Sequence, residues 1–308
     1  MDPTPAFKIF SSLRYDTNLP EKVSELQDND IRIGPLYMFA YHRDRLLEAA
    51  RHFQWPSCIA KLEGKQGLSW LRDEIESIKP DIGKKACCRT RVTLDVHGNV
   101  EVEMMPTPRL SPDNLFPTRE VFDSHLHTTA DDTDEKLGVI WTIFLDSEPT
   151  EKSPFTLYKT TSRHVYTAAR NRTGILSFTS PEEVLMHNLD GEVTEASLTS
   201  VYIYRNGQWI TPNRQSGGQL GVTRRWALEQ DLCTEGTVKI DDLVEGENMW
   251  ISNGVRGFIR ARYRSSRPRE EIDANFKVIS GSNGMVNMNG GLAIDEHKAS
   301  AANQEAGR

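Results

Sequence analysis

Asn206-Gly207 predicts an antiparallel hairpin in the second half of the chain, because it lies between two β-rich runs, 201–204 and 208–211. An Asn-Gly pair accepts the positive φ angles of a two-residue turn, so it predicts that the two flanking runs are strands of one sheet. The other elements predicted in this half are two strands and a helix, at 184–188, 249–252 and 223–230. The second half is therefore predicted to be rich in strands.

The first half of the chain carries a smaller set of elements. Apolar residues recur there at helical spacing in two segments, and two strand patterns flank His97-Gly98-Asn99, which suits a hairpin turn. The predicted elements are a strand at 8–15, helices at 42–53 and 68–78, and strands at 89–95 and 100–105. These predict a small α/β unit.

The boundary between the two halves is predicted at a proline-containing linker. A polar stretch at 106–136 and a buried strand at 139–145 precede it, and Ser147 to Pro154 contains two prolines among charged and hydroxyl residues. We therefore expect a two-domain α/β (α+β) fold. Its predicted parts are a small domain at 1–146, a linker at 147–153, a large domain at 154–280 and a weakly ordered tail at 281–308.

Charge and composition exclude several classes of protein. The net charge of −7 argues against a nucleic-acid surface, and no apolar run approaches the ~20 residues that span a bilayer. No basic start followed by an apolar stretch opens the chain, so we expect a cytoplasmic protein. The four cysteines lack a metal-type spacing, and we expect them to be reduced.

Lys159 and Glu195 are the first two candidates for chemistry. A lysine amine attacks an aldehyde cofactor once it is deprotonated, and the largely uncharged run from Pro154 to Tyr158 favours burial of that amine. Glu195 precedes an apolar strand and offers a carboxylate to a cofactor ring nitrogen. Taken singly, each is more often a solvated surface charge, and only their company makes them candidates.

Two further segments are suited to binding a phosphate. Glycines between Gly217 and Thr223 let backbone N–H groups approach an anion at the start of the predicted helix. Arg45, in the pattern His42-x-x-Arg45, offers a guanidinium fork. A plain glycine turn and an exposed helix arginine are the alternatives. A lysine, a carboxylate, an anion cradle and an arginine together are what pyridoxal phosphate (PLP) requires of a protein.

A metal site is the competing hypothesis. Asp123-Ser124-His125-Leu126-His127 has the His-x-His spacing of zinc or iron ligands, and acidic residues follow it. The residues before it do not look like a strand, and the later histidines follow no barrel-strand pattern. We therefore interpret this segment as a solvated loop and expect no metal.

The constellation resembles the fold type IV PLP enzymes, also called class IV aminotransferases, over residues 8 to 264. In that family a lysine binds PLP and a later glutamate meets the ring nitrogen, which Lys159 and Glu195 match. The resemblance implies that the phosphate is held by residues of three segments: Arg45, then Val222 and Thr223 of a Gly-Val-Thr-Arg turn, then Gly254 and Val255. It also implies a homodimer that acts on a small-molecule amino substrate.

Within the family, the chain looks most like the 4-amino-4-deoxychorismate lyases. Their Phe-x-x-x-Arg strand has two central hydroxyl residues, and here it is Phe10 to Arg14 with Ser11 and Ser12; Lys159-x-x-x-Arg163 is also similar. The likeness implies Ser12 as a proton carrier. Leu220 replaces a common proline, and the hairpin usual before this strand is missing. An aminotransferase remains the alternative, and a regulatory protein is disfavoured because Lys159 and Glu195 are intact.

Overall fold

A three-stranded antiparallel sheet with helices against it forms the first half of the computed structural model, which describes residues 6–19, 34–78, 87–129 and 137–281. The strands are β1 (Ile9–Asp16), β2 (Cys87–Leu94) and β3 (Val100–Pro106), in that spatial order. The helices are α1 (Phe39–His52), α2 (Pro56–Leu62) and α3 (Gly64–Ser77). The elements predicted between 8 and 105 are confirmed, with small shifts at their ends, whereas α2 was not predicted.

The alternation of side chains along β1 explains its position. Ile9, Leu13 and Tyr15 face the helices and share a buried core with Leu46 and Ala50 of α1. The opposite face of the strand is left for the second half of the chain.

The second half is built on a larger mixed sheet. Its strands are β4 (Trp141–Leu145), β5 (Glu182–His187), β6 (Val193–Ala196), β7 (Ser200–Arg205), β8 (Gln208–Pro212), β9 (Thr234–Gly236), β10 (Asn248–Asn253) and β11 (Gly257–Arg264). The spatial order is β6-β5-β4-β11-β10-β7-β8-β9, and the pairs β11–β4, β4–β5 and β8–β9 are parallel. The predicted hairpin is confirmed as β7 and β8, with φ of 53° at Asn206 and 82° at Gly207.

Six helices accompany this sheet among the described residues. They are α4 (Pro112–Leu115), α5 (Arg119–Ser124), α6 (Pro154–Leu157), α7 (His164–Arg172), α8 (Val222–Glu229) and α9 (Arg269–Gly281), with 3-10 turns at His125–His127 and Ile240–Asp242. A second core joins helix and sheet, because Phe122 of α5 stacks on Trp250 of β10 with ring centroids 5.0 Å apart. The α/β fold class with a small sheet and a larger strand-rich sheet is confirmed.

The chain changes from one sheet to the other before β4. We expected the strand at 139–145 to close the small domain, but β4 pairs with β5 and β11 in the larger sheet. The change of sheet therefore lies before Trp141 rather than at the linker 147–153. The domain division at that linker stays a prediction, and residues 282–308 of the predicted tail lie outside the described residues.

The interpretation of the His-x-His segment as a solvated loop is wrong for His125. Its ring is buried, its Nε2 donates to the Met249 carbonyl at 3.0 Å, and its Nδ1 lies 2.6 Å from Thr128 Oγ1. Burial lowers the pKa of His125 to about 4. Within the described ranges no group of three His, Cys, Asp or Glu side chains could hold a metal ion.

No helix in the described part of the chain is both long enough and apolar enough to cross a membrane.

The cysteines Cys58, Cys87, Cys88 and Cys233 are all buried and unpaired, as expected for reduced thiols. Burial raises the pKa of the Cys58 thiol to about 11, which keeps it protonated and unreactive.

Candidate active site

The site is assembled along the edge of β1 that does not pair with β2. β2 occupies one edge of this strand, and the other edge binds backbone groups from two distant segments. The Phe10 N–H donates to the Lys159 carbonyl at 3.0 Å, and the Arg14 N–H donates to the Gly254 carbonyl at 2.9 Å. Lys159 and Gly254, which are far apart in sequence, are therefore held on one strand.

The Lys159 amine lies in a positively charged, poorly hydrated environment. Its Nζ is 3.4 Å from the Gln219 side-chain oxygen. Burial lowers the pKa of Lys159 well below its usual value, and the guanidinium groups of Arg163 and Arg45 lower it further, while Glu195 opposes them. The amine is therefore poised to be neutral, as a nucleophilic lysine must be.

Glu195 lies on β6 and is only 7% exposed. Its Oε1 accepts a hydrogen bond from the Tyr166 hydroxyl at 2.7 Å, and that hydroxyl accepts one from Gln219 Nε2 at 3.0 Å. Burial raises the pKa of Glu195 to about 7, against the lowering effects of Tyr166, Arg163 and Lys159. The carboxyl group can thus share a proton near neutral pH.

The glycine pair before Gln219 brings the loop close to Glu195 rather than forming an anion-binding site. Gly217 and Gly218 both have positive φ, and a Cβ on Gly218 would lie 2.8 Å from the Thr194 carbonyl oxygen. Because no side chain intervenes, the loop packs against β6, and the backbone N–H of Gln219 reaches the Glu195 carboxylate. Only the part of the segment after Gln219 is therefore left for the predicted anion cradle.

The start of α8 is the part of that segment that faces the other elements of the site. Thr223 is fully buried, and its Oγ1 lies 2.7 Å from Ser252 Oγ, which in turn lies 2.8 Å from the Tyr202 hydroxyl. The first N–H groups of a helix have no partner within the helix and favour an anion. Val222 and Thr223 thus lie at a helix N-terminus, and their binding of a phosphate stays a prediction.

His42 and Arg45 form a buried network on α1 with Ser11 of β1. His42 Nδ1 lies 2.8 Å from Ser11 Oγ and 3.3 Å from Arg45 Nη2, and Arg45 also donates to Ser11 Oγ. Burial lowers the pKa of Arg45 to about 10 and that of His42 well below its usual value. Arg45 is therefore not the exposed helix arginine of the alternative hypothesis.

Two nitrogen atoms of this network lack a partner in the described part of the chain, and one of them, His42 Nε2, lies beside Gly254. Among the described residues, His42 Nε2 and Arg45 Nε are buried without a hydrogen-bond partner. A cavity of about 290 Å³ lies beside Arg45 and is also lined by Gly221 and Val222. A buried donor without a partner is costly, so an anion between Arg45 and the start of α8 would satisfy the Arg45 Nε–H group. The residues present therefore fit a PLP phosphate.

Ser12 lies on the face of β1 that looks toward Lys159. Side chains alternate along a strand, so Ser12 shares its face with Phe10, whose ring centroid is 5.2 Å from Lys159 Nζ. Ser11 lies on the other face and is engaged with α1. The strand therefore separates the two adjacent hydroxyl groups, one toward each side.

The loop after β10 is fixed more tightly than the sequence indicated. A Cβ on Gly254 would lie 2.4 Å from His42 Cε1 and 3.1 Å from the Ser12 carbonyl oxygen, so only glycine fits there. The Val255 N–H donates to Asn253 Oδ1 at 3.0 Å, which means that this amide already has a partner inside the loop. Gly254 thus lies between α1 and β1, whereas Val255 is tied to its own turn.

Sequence reasoning missed two side chains that shape the site. Tyr166, on α7, and Gln219, before α8, connect Lys159 and Glu195 through hydrogen bonds. Tyr166 belongs to no motif that we used, and Gln219 lies within the segment from Gly217 to Thr223 but was given no role there. Tyr166 follows Lys159 closely in the chain, and an aromatic residue bearing a hydroxyl there was the available signal. No comparable signal singled out Gln219.

Comparisons with known proteins identify the family of the chain. The family model described as amino-transferase class IV matches residues 31–263. A candidate aminodeoxychorismate lyase of Schizosaccharomyces pombe is 28% identical over 240 residues, covering 76% of this chain and 87% of that protein. An aminodeoxychorismate lyase of Saccharomyces cerevisiae is 28% identical over 221 residues, covering 65% of this chain but only 57% of that longer protein.

Solved structures share the fold. A candidate amino-acid aminotransferase from Mesorhizobium loti superposes with a TM-score of 0.58, covering 84% of this chain and 100% of that one. Its sequence identity is 22%, so the likeness shows the fold alone.

Proposed function

This chain belongs to the class IV amino-transferase family, and we propose that it is a PLP-dependent lyase that converts 4-amino-4-deoxychorismate to 4-aminobenzoate and pyruvate. The observation that carries the proposal is the environment of Lys159. Its amine has a lowered pKa and lies beside Phe10, on the face of β1 that also carries Ser12. The Glu195 carboxyl group is close enough to interact with this amine. The names of the two fungal relatives support the choice of substrate.

In this proposal the cofactor is held at three points. Lys159 binds it covalently, and Glu195 lies at the ring nitrogen. The phosphate is held by Arg45 of α1 and by Val222 and Thr223 of α8, and Gly254 and Val255, in the loop after β10, lie beside it. When bound, PLP supplies a ring that accepts electrons from the reacting carbon of the substrate.

The residues of the chain move the protons. The amino group of the substrate would displace Lys159 from the cofactor, and the freed Lys159 amine, whose low pKa favours the neutral form, would take the proton from the substrate carbon that bears nitrogen. Glu195 holds a proton at the ring nitrogen, since its pKa of about 7 lets it share one. The carbon–oxygen bond at the neighbouring carbon of the substrate then breaks, and the six-membered ring of the substrate becomes aromatic. Ser12 or Lys159 protonates the departing enolpyruvate, which becomes pyruvate.

We also propose a cytoplasmic homodimer that takes a small-molecule amino substrate. The family resemblance supports the dimer. Four buried, unpaired cysteines are in keeping with a reducing compartment.

The cofactor assignment is tested by trapping. We expect protein incubated with PLP to absorb visible light, and borohydride reduction followed by peptide mapping to place the adduct on Lys159. Lys159→Ala should lose both signals, whereas Lys152→Ala, which removes a nearby exposed lysine, should keep them. An adduct on a different lysine would overturn the assignment.

The reaction is tested by product analysis. We expect 4-amino-4-deoxychorismate to give equal amounts of 4-aminobenzoate and pyruvate. Ser12→Ala should lower this rate toward the lower end of the ~10²–10⁴-fold range for a lost general acid, because Lys159 can share the transfer. Amino transfer to a keto acid, with no pyruvate formed, would decide for the alternative, an aminotransferase.

A further inference from the structure

The charges around Lys159 do not balance. The groups that act most strongly on its amine are three guanidinium groups, from Arg163, Arg45 and Arg91, and one carboxylate, from Glu195. Buried charges need partners, so a site with this excess of cations requires anions from outside the chain. A phosphate beside Arg45 would neutralise only part of the excess, which leaves Arg91 and Arg163.

Arg163 is held in place by two contacts, but one nitrogen of its guanidinium group has no hydrogen-bond partner in the part of the chain that the structure describes. Its Nη2 donates to the Ser197 carbonyl at 2.6 Å, and its guanidinium carbon lies 3.9 Å from the centroid of the Tyr166 ring. Its Nη1 is buried without a hydrogen-bond partner among the described residues. The guanidinium plane is therefore fixed, with one N–H group available to a ligand.

Arg91 reaches the same place from the small sheet. It pairs with Ser12 across β1 and β2, and its guanidinium carbon lies 4.3 Å from the centroid of Phe10, the ring that Lys159 also approaches. Its Nε is likewise buried without a partner. Burial lowers the pKa of Arg91, and Glu103, its partner across β2 and β3, opposes this effect.

We propose that the guanidinium groups of Arg91 and Arg163 bind the carboxylate groups of an anionic amino substrate beside Lys159. Guanidinium and carboxylate match in shape and charge, and the buried N–H groups gain the partners that they lack. The proposal rests on the proposed function and deepens it by assigning substrate selection to these two residues. 4-Amino-4-deoxychorismate carries two carboxylates, one for each guanidinium, and 4-aminobenzoate keeps one of them.

The test compares an acid with its uncharged analogue. PLP-loaded protein is titrated with 4-aminobenzoate and with 4-aminobenzamide, and binding is followed by calorimetry. We expect the wild type to prefer the acid. Arg91→Gln or Arg163→Gln should weaken binding of the acid about ten- to a hundredfold, the effect of one lost charge-assisted hydrogen bond, and leave the amide unchanged. Arg72→Gln, which changes a partly exposed arginine of α3 next to Asp73, should change neither.

The outcomes separate this inference from the lyase proposal. Arg91→Lys and Arg163→Lys should restore part of the preference, and they replace the glutamine variants if either of those fails to bind PLP. Equal losses for acid and amide, or unchanged acid binding in both glutamine variants, would overturn the subsite. Protein that prefers the acid but makes no 4-aminobenzoate would refute the lyase proposal and leave the subsite standing.

Discussion

Lys159 and Glu195 have pKa values that are shifted toward each other. Burial is the main cause for both, and it lowers the pKa of the amine and raises that of the carboxyl group to about 7. The arginines then favour the neutral amine, since each of them repels a second positive charge. The site thus holds a nucleophile and a proton-sharing acid at neutral pH, a pattern concentrated at functional sites.

At the same scale, Arg45 should decide how tightly the cofactor binds. Arg45→Gln removes the charge but keeps a polar side chain, and a charge-assisted hydrogen bond is worth roughly 1.5–3 kcal/mol. We therefore expect PLP affinity to fall about ten- to a hundredfold in a spectroscopic titration. Arg43→Gln is the matched control, because Arg43 donates instead to Asp44 and to backbone carbonyls of the small domain. Equal affinities in the two variants would contradict the role of Arg45.

The sequence could identify the residues of this site but not their connections. Lys159, Glu195 and Arg45 stand in motifs with local signatures, and the structure brings them together. Gln219 has no such signature, since its role depends on Gly218 packing against β6 and bringing its backbone N–H to Glu195. A contact of this kind is set by tertiary packing, which spacing along one chain does not encode.

Among the elements, the helices at 112–127 show why very short helices are not predicted from the spacing of apolar residues. α4 and α5 are too short for a repeating apolar pattern, and a polar stretch was predicted there. Ser111 and Thr118 cap these helices, because their side-chain oxygens accept hydrogen bonds from the Asp113 and Val121 N–H groups, respectively. Phe122 then buries its ring completely against the large sheet.

The 3-10 turn after α5 should make folding stability sensitive to acid. His125 has a folded pKa of about 4 and an unfolded value of about 6.5, so the unfolded state binds more protons between these values. The contribution of His125 to stability is complete above pH 6.5 and is lost as the pH falls to 4, by at most about 3 kcal/mol. His125→Asn should therefore flatten the decline of the urea midpoint between pH 7 and 4.5.

The control for this measurement is His97→Asn, which changes an exposed histidine in the β2–β3 turn. It should keep the acid sensitivity of the wild type. A His125→Asn variant that loses as much stability on acidification as the wild type would exclude His125 as the source. Only the slope with pH matters, because the substitution itself also lowers stability at pH 7.

On the scale of the whole molecule, β1 connects the two sheets. It belongs to the small sheet through β2, yet its outer edge binds the backbone of Lys159 and Gly254, which belong to the second half of the chain. The sequence predicted both halves, but not this junction or the parallel pairing of β4. Both join segments that are distant in sequence, and no local pattern reports such pairing.

Because the site is assembled on this junction, binding of PLP should rigidify it. The Phe10 and Arg14 amides exchange with solvent only when β1 separates from Lys159 and Gly254, and that separation would also release the cofactor. At a PLP concentration of a hundred times Kd, linkage predicts about a hundredfold slower exchange in peptides covering β1. Amides in the β7–β8 turn at Asn206 and Gly207 lie outside the site and should exchange at their original rate. Unchanged exchange in β1, measured by mass spectrometry on protein that carries PLP on Lys159, would show that the cofactor binds without closing this edge.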